Sequence, residues 1–504
     1  MATPAPIAAG AATMAIPAPR RTQDVTANAL ATYSERLSRA TCARASPMEV
    51  TPGRAPRLPY SLRSEYPPRG IHTYLQPVAL RPCTCHHGAM MSPSRTFDLI
   101  CDDCHQVAAA RPYSPRCLHC DGALAITYRD TATDRYRHAP RSMWSYGDVL
   151  PVDDPAHAVT LDEGGTPLIP ARGAWGCHLW LKDETRNPTG SHKDRALSVA
   201  ITRGRELGFD ACVILSAGST GLSTAAYAAR AGMKCALVAP KGTPDARLLP
   251  AALYGARIHE APGTFDDALH LIDRLATEHP LYFTSTYRRG NPFQAEGART
   301  LGFEIAAQIA DAGGADWIVI PVGGGGTLAG IWRAYEQLHA LGALDHLGGR
   351  LPRLVAVQPD AYNAFEIALA RDLHSMEDLY ALGISEETPT LQAKLQHGVP
   401  PDAVDALAAL RASGGVAVSI SDAEALVAQR QLASIEGLYG EPSTGTGLAG
   451  VAKLVAQGTI APTDRVVLLA CGGGYRETHA LEGIVPVDRH PLHADRLLEY
   501  LGIG

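Results

Sequence analysis

The stretch Asn187-Pro-Thr-Gly-Ser-His-Lys193-Asp-Arg195 places a lysine in a Gly/Ser/Thr-rich turn ahead of a helical pattern. The chain has only six lysines among its 45 basic residues, so a generally basic surface does not explain this one. An amine here can form an imine with a carbonyl compound, which a guanidinium cannot do. The alternative is an ordinary solvated lysine at a helix start.

Three glycine-rich turns bear on the choice. Gly323, Gly324, Gly325, Gly326 and Thr327 follow an apolar run and precede a helical pattern. Successive glycines let backbone N–H groups face an anion at a helix start, so this turn reads as a phosphate cup. It lacks the lysine of a nucleotide P-loop, and its spacing is not a dinucleotide fingerprint. Ser216-Ala217-Gly218-Ser219-Thr220 offers hydroxyls and amides for a ring oxygen or a carboxylate. Cys471-Gly-Gly-Gly474 follows a third apolar run; its thiol suits either a place beside a ring nitrogen or a buried structural role. One amine, one phosphate cup and small polar loops together point to pyridoxal phosphate, whose aldehyde, phosphate and ring need these partners.

The elements that must position these groups follow a βα rhythm from about residue 140. Apolar runs at 176–181, 211–215, 234–239, 256–259 and 281–284 form a first series; those at 317–322, 354–357, 416–418 and 465–470 form a second. Such runs alternating with helical segments predict an α/β fold with two open parallel-sheet domains, whose strand-to-helix loops collect ligands on one edge. We expect a large domain from 136–209 and 316–485, a small α/β domain over 210–315, and a C-terminal extension over 486–504.

Ahead of this body, Cys101-Asp-Asp-Cys104 and Cys117-Leu-His-Cys120 are separated by twelve residues. Two such knuckles supply four thiolates to one tetrahedral ion, which suits structural zinc and closes the shell against metal catalysis. Flanking runs at 97–100 and 124–128 read as short strands, giving a zinc-ribbon-like module over 76–135. Cys83, Cys85, His86 and His87 lie upstream with spacing that assigns them no role.

The formal charge of −6 gives no electrostatic ground for a nucleic-acid or anionic-membrane partner, and no apolar run is long enough to cross a bilayer. Eleven cysteines without an export signal suit a reducing compartment, and cytoplasm is the expected location. Residues 1–75, rich in Ala, Pro, Arg and Ser, are expected to be a disordered extension.

Over residues 95 to 485 the chain resembles the threonine synthase branch of fold-type II pyridoxal-phosphate enzymes. The resemblance is carried in order by the cysteine knuckles, Gly165-Thr-Pro-Leu168, Lys182-Asp-Glu184, the Lys193 turn, Ser216 to Thr220, Gly323 to Thr327, Glu441-Pro-Ser-Thr444 and Cys471 to Gly474. It implies that Lys193 is the Schiff-base lysine and α-proton base, and that Gly323 to Thr327 cradle the cofactor phosphate. Ser216, Ala217, Gly218 and Thr220 would bind the substrate carboxylate, with Ser219 beside the cofactor where relatives commonly carry Asn. Cys471 stands where the family often has Thr or Ser near the pyridine nitrogen. His192 replaces the usual Phe, and Gln294 stands near the place of an arginine that holds the substrate phosphate in bacterial members. Arg288 and Arg289 are sequence neighbours able to replace that arginine.

The implied activity is elimination and replacement on an activated small amino-acid substrate, O-phosphohomoserine to threonine in the type reaction, by a homodimer. The alternatives are a serine/threonine dehydratase or β-replacement synthase, and a non-enzymatic zinc-ribbon interaction protein on a degenerate body.

Overall fold

In a computed structural model, which describes residues 97–502 apart from 109–112, 130–131, 262–264, 280, 286, 386, 482–483, 486, 488 and 491, the cysteine module comes first. The extension over 1–75 and Cys83, Cys85, His86 and His87 lie outside the described residues. Strands β1 (Phe97–Cys101), β2 (Val107–Ala108) and β3 (Leu124–Tyr128) form an antiparallel sheet in the order β2-β1-β3. Phe97, Leu99 and Cys101 alternate inward along β1, as a one-sided sheet requires, and pack with Val199 and Phe293 of the catalytic body. The Arg203 guanidinium sits 5.4 Å from the Phe97 ring and 5.3 Å from the Phe293 ring, so a cation is held between the two.

The remaining strands are β4 (Leu168–Pro170), β5 (His178–Asp183), β6 (Ala211–Leu215), β7 (Lys234–Ala239), β8 (Arg257–Glu260), β9 (Trp317–Pro321), β10 (Arg353–Pro359), β11 (Val416–Ile420) and β12 (Arg465–Ala470). They make two sheets, β11-β10-β9-β12-β5-β4 and β6-β7-β8. All pairings are parallel except β4 against β5. Every residue of β9 is buried, because both faces of the large sheet are covered by helices. Ile318 and Ile320 face one core with Leu354, Ala356, Val467 and Leu469; Trp317 and Val319 face the other with Val355, Val357, Val466 and Leu468.

The run at 281–284 was expected to add a fourth strand to the small sheet. It forms a single bridge, Phe283 to Val213, before the chain turns at Ser285 with φ 56. One short apolar run cannot extend a ladder once the backbone leaves the extended region.

Helix boundaries follow local chemistry. The helix Pro292–Gln308 starts on Asn291, whose Oδ1 accepts from the N–H groups of Phe293 and Gln294 at 3.1 and 3.2 Å, with Pro292 in the first turn. It packs on the helix Lys193–Glu206 at Gly297, where a Cβ would lie 2.3 Å from the Arg195 carbonyl oxygen. The helix Asp422–Glu436 opens with a reciprocal Ser421/Glu424 capping box. By itself, the C-terminal segment holds a short helix, Ala494–Leu501.

The order of the large sheet decides where a ligand goes. β9, β10 and β11 step outward in one direction, while β12 and β5 lie on the other side of β9. The reversal opens a crevice at the carboxyl ends of β9, β12 and β5, the switch point at which open α/β sheets bind ligands. The glycine turn leaves β9, Cys471 leaves β12, and the lysine turn follows β5.

Candidate active site

The lysine turn is stitched to the loop after β12. Ser191 bridges Gly472, the His192 N–H donates to the Cys471 carbonyl at 3.0 Å, and the Gly473 N–H donates to Gly190 O at 2.9 Å. Behind it, Asp194 accepts from the Thr189 N–H at 2.7 Å, the Thr189 hydroxyl at 2.6 Å and Ser223 Oγ at 2.6 Å. Burial pushes the Asp194 carboxyl up to about 6 despite these donors. Deeper still, Arg195 donates twice to Glu184, at 2.8 Å each, and once to Glu304 at 3.0 Å; Lys182 Nζ also bonds Glu304. This fully buried network ties β5, the lysine helix and the helix Pro292–Gln308 into one support for the turn.

Lys193 opens its helix at the floor of a cavity of about 1240 Å³. Desolvation in the cleft holds its ammonium below the usual lysine range, although Cys471, Asp402 and Glu441 pull the other way. A lowered pKa favours the neutral amine that imine formation and proton abstraction need.

The cofactor- and substrate-directed residues singled out in the sequence line this one cavity, Arg288 excepted: His192, Lys193, Ser216, Ala217, Gly218, Ser219, Thr220, Arg289, Gln294, Gly323, Gly324, Gly325, Gly326, Thr327 and Cys471. His192 is held neutral, its pKa brought down to about 4 by burial and then by Lys193. Its Nδ1 lies 3.0 Å from the Cys471 carbonyl oxygen; a neutral ring bonding a carbonyl there carries its proton on Nδ1 and leaves Nε2 as an acceptor. Burial pushes the Cys471 thiol well above its ordinary range, so it is a neutral group. Ser219 begins the helix Ser219–Ala231 and accepts from Arg476 Nη2 at 3.0 Å.

The glycine turn fits a phosphate. Gly325, at φ 97, caps the helix Gly326–Ala340, so N–H groups at that helix start face the cavity edge. A Cβ on Gly323 would lie 2.9 Å from the Lys394 carbonyl oxygen, and one on Gly326 would lie 2.5 Å from Asp402 Oδ2. Only glycine lets the segment 394–402 close over the turn. Asp402 Oδ2 is buried without a hydrogen-bond partner, and burial pushes its carboxyl up to about 6. The arrangement therefore provides an amine, a glycine turn suited to an anion and a neutral thiol in one cleft, which fits pyridoxal phosphate.

Sequence reading missed the segment 393–401. It contributes Lys394, which bonds Glu441 and lies 3.3 Å from Glu477, and His397, brought down to about 4 by burial. The scarcity of lysine was the available signal for Lys394. Glu441 also accepts from Ser443 Oγ at 2.7 Å. Burial alone would raise its carboxyl, but Lys394 and Arg476 outweigh that and hold it low.

The cysteines of the ribbon form a separate cluster. The sulfurs of Cys101, Cys104, Cys117 and Cys120 lie within 4.8 Å of one another, with Cys101 to Cys120 at 3.4 Å and Cys104 to Cys117 at 3.6 Å. The N–H groups of His119 and Cys120 bring the Cys117 thiol down to about 7.

Residues 159–472 match the family described as pyridoxal-phosphate dependent enzyme. The chain is 34% identical over 378 residues to a threonine synthase of Methanocaldococcus jannaschii, covering 72% of this chain and 88% of that protein. It is 34% identical over 384 residues to one of Mycobacterium bovis, covering 75% and 100%. Among solved structures it is similar to maize serine racemase (TM-score 0.52, 17% identity, 67% of this chain and 93% of that one). It is likewise similar to O-ureido-L-serine synthase (TM-score 0.52, 22% identity, 66% and 96%); these two likenesses concern the fold. With the lysine, the glycine cup and the switch-point cleft in place, the chain belongs to the pyridoxal-phosphate-dependent enzymes, in their threonine synthase family.

Proposed function

We propose that this enzyme converts O-phosphohomoserine to threonine, releasing phosphate and adding water at Cβ. The observation that carries the reading is the likeness to the Mycobacterium bovis threonine synthase, which spans 100% of that relative and 75% of this chain. Bound in the cleft, pyridoxal phosphate supplies an electron sink for charge developing at the substrate Cα. Lys193 Nζ would hold the cofactor and, as a neutral amine, would take the Cα proton. Gly323 to Thr327 would hold the cofactor phosphate, and Cys471 and Ser219 would contribute to the rest of its pocket. Ser216, Ala217, Gly218 and Thr220 orient the substrate carboxylate, while His192 shapes the wall beside the amine. Cys101, Cys104, Cys117 and Cys120 hold a structural zinc: at a Zn–S distance of about 2.3 Å, tetrahedral sulfurs lie roughly 3.7 Å apart, near the separations observed. The enzyme is read as a cytoplasmic homodimer without nucleic-acid or membrane partners, with the large domain over 136–209 and 316–485 and the small one over 210–315.

One observation favours a second reading. Gln294 lines the cavity without charge, which suits serine or threonine and a dehydratase reaction. Incubating the cofactor-loaded protein with each substrate decides between them. Phosphate release with threonine formation supports the first reading; ammonia and an oxo acid from serine or threonine, with no turnover of O-phosphohomoserine, would replace it with the second.

A further inference from the structure

The cysteine module reaches into the catalytic cavity. Pro115 and Arg116, on the approach to the second knuckle, line the same cavity as Lys193, Gln294 and Arg289. Arg116 Nη1 donates to Asp121 Oδ2 at 3.2 Å, and Arg289 Nη2 donates to the same oxygen at 2.8 Å. Arg289 Nη2 also reaches the Asp121 carbonyl oxygen at 3.2 Å. Asp121 is fixed for this by the knuckle turn, where it adopts φ 62 and its N–H donates to Cys117 O at 2.9 Å. Two guanidiniums thus share one carboxylate at the cavity, which Asp273 also lines.

Arg288, Lys394 and Arg247 each have carboxylate partners. Arg288 bonds Asp405 at 2.7 and 2.9 Å, Asp102 at 2.6 Å and the Leu124 carbonyl at 3.0 Å, so it braces the ribbon instead of facing substrate. Lys394 is held by Glu441 and Glu477, and Arg247 stands 3.8 Å from Glu477. Lys241 also lines the cavity and is exposed.

We propose that Arg116, lent by the ribbon, and Arg289 together receive the anionic side-chain group of the amino-acid substrate. Under the function proposed above, that group is a phosphate monoester. Planar guanidiniums recognise phosphate oxygens through directed, charge-assisted N–H bonds, which the neutral Gln294 cannot supply. The ribbon is then part of the substrate site, and Arg116 and Arg289 set substrate choice without touching the cofactor.

The test uses the full-length, cofactor-loaded protein and the variants Arg116→Ala, Arg116→Lys, Arg289→Ala and Lys241→Ala. Initial rates are measured against O-phosphohomoserine, and inorganic phosphate is titrated as a competing ligand while the visible cofactor band is followed. Arg116→Ala and Arg289→Ala should each raise KM and the phosphate inhibition constant by about fivefold to tenfold, and affect kcat far less. Arg116→Lys should recover part of the loss, and the spectral response to uncharged serine should stay as in the parent. A rise in KM without a matching change for free phosphate assigns the pair to the substrate's ester rather than to released phosphate, and still supports the proposal. Unchanged constants in both alanine variants, or a change confined to Lys241→Ala, overturn it. If the parent does not turn over O-phosphohomoserine, the functional reading falls. Weaker phosphate binding by Arg116→Ala than by the parent would still uphold the anion site, and equal binding would remove it.

Discussion

Lys193 and the groups around it show how one cleft prepares an amine, a neutral thiol and an anion cup at once. Desolvation favours the uncharged amine, and the same burial keeps Cys471 a thiol and His192 an imidazole. His192 at about 4 does not titrate near neutrality, so a His192→Asn variant should keep the shape of the parent's kcat–pH profile between about pH 5.5 and 9. Loss of one limb in that range would assign His192 an acid–base role instead. Asp402 makes an opposite demand. Its unpartnered oxygen lies against Gly326 with the carboxyl raised to about 6, so above that pH its charge opposes a phosphate in the cup. Asp402→Asn should therefore tighten cofactor binding at pH 8 more than at pH 5.5, read by titrating the visible band; equal affinities at both pH values would contradict this. The chemistry-bearing residues were legible because each sits in a short motif of distinctive composition. Lys394, Asp402 and His397 were not, because their part depends on a segment folding back over a turn some 70 residues earlier in the chain.

Among the elements, strand order does most to build the site. Adjacent strands β9, β12 and β5 deliver three loops to one edge, and those strands were recognisable as apolar runs. The support beneath was less visible. Lys182-Asp-Glu184 and Arg195 were noted as strings, yet their partner Glu304 lies 122 residues beyond Lys182, and no local pattern announces the pairing. Leucine in place of Arg195 leaves Glu184 and Glu304 buried without their main cation, and breaking such a pair costs about 3–5 kcal/mol. Chemical denaturation of Arg195→Leu should show a loss of that order; a change under about 1 kcal/mol would mean that the network contributes little. The missing fourth strand of the small sheet shows the converse limit: Leu281 to Thr284 is apolar enough for a strand, but Ser285 turns the backbone away after one bridge.

At the scale of the whole molecule, the buried ion pairs set the acid limit. Burial alone would raise the carboxyls of Glu184, Glu296, Glu304 and Glu441; adjacent cations outweigh it and hold all four below the ordinary 4.5, Glu184 at about 2. With folded-state values lowered, the unfolded chain binds protons first, so stability present above pH 4.5 is lost as pH falls toward 2. His192 and His397, at about 4, lose stability as pH falls from 6.5, while Asp194 and Asp402, at about 6, gain it over the overlapping span. The two pairs largely offset. Denaturation midpoints should stay nearly level from about pH 6.5 to 4.5 and then drop steeply, with a shallower drop in Arg195→Leu; a steady decline from neutrality would contradict the assignment. Cofactor binding and proton transfer both depend on the amine at Lys193, and the most direct measurement is the visible spectrum of cofactor-loaded parent and Lys193→Ala proteins. A lysine-bound pyridoxal band in the parent, absent from a folded Lys193→Ala variant that also fails to turn over substrate, is the predicted result. An identical band in both, or none in the loaded parent, would contradict it.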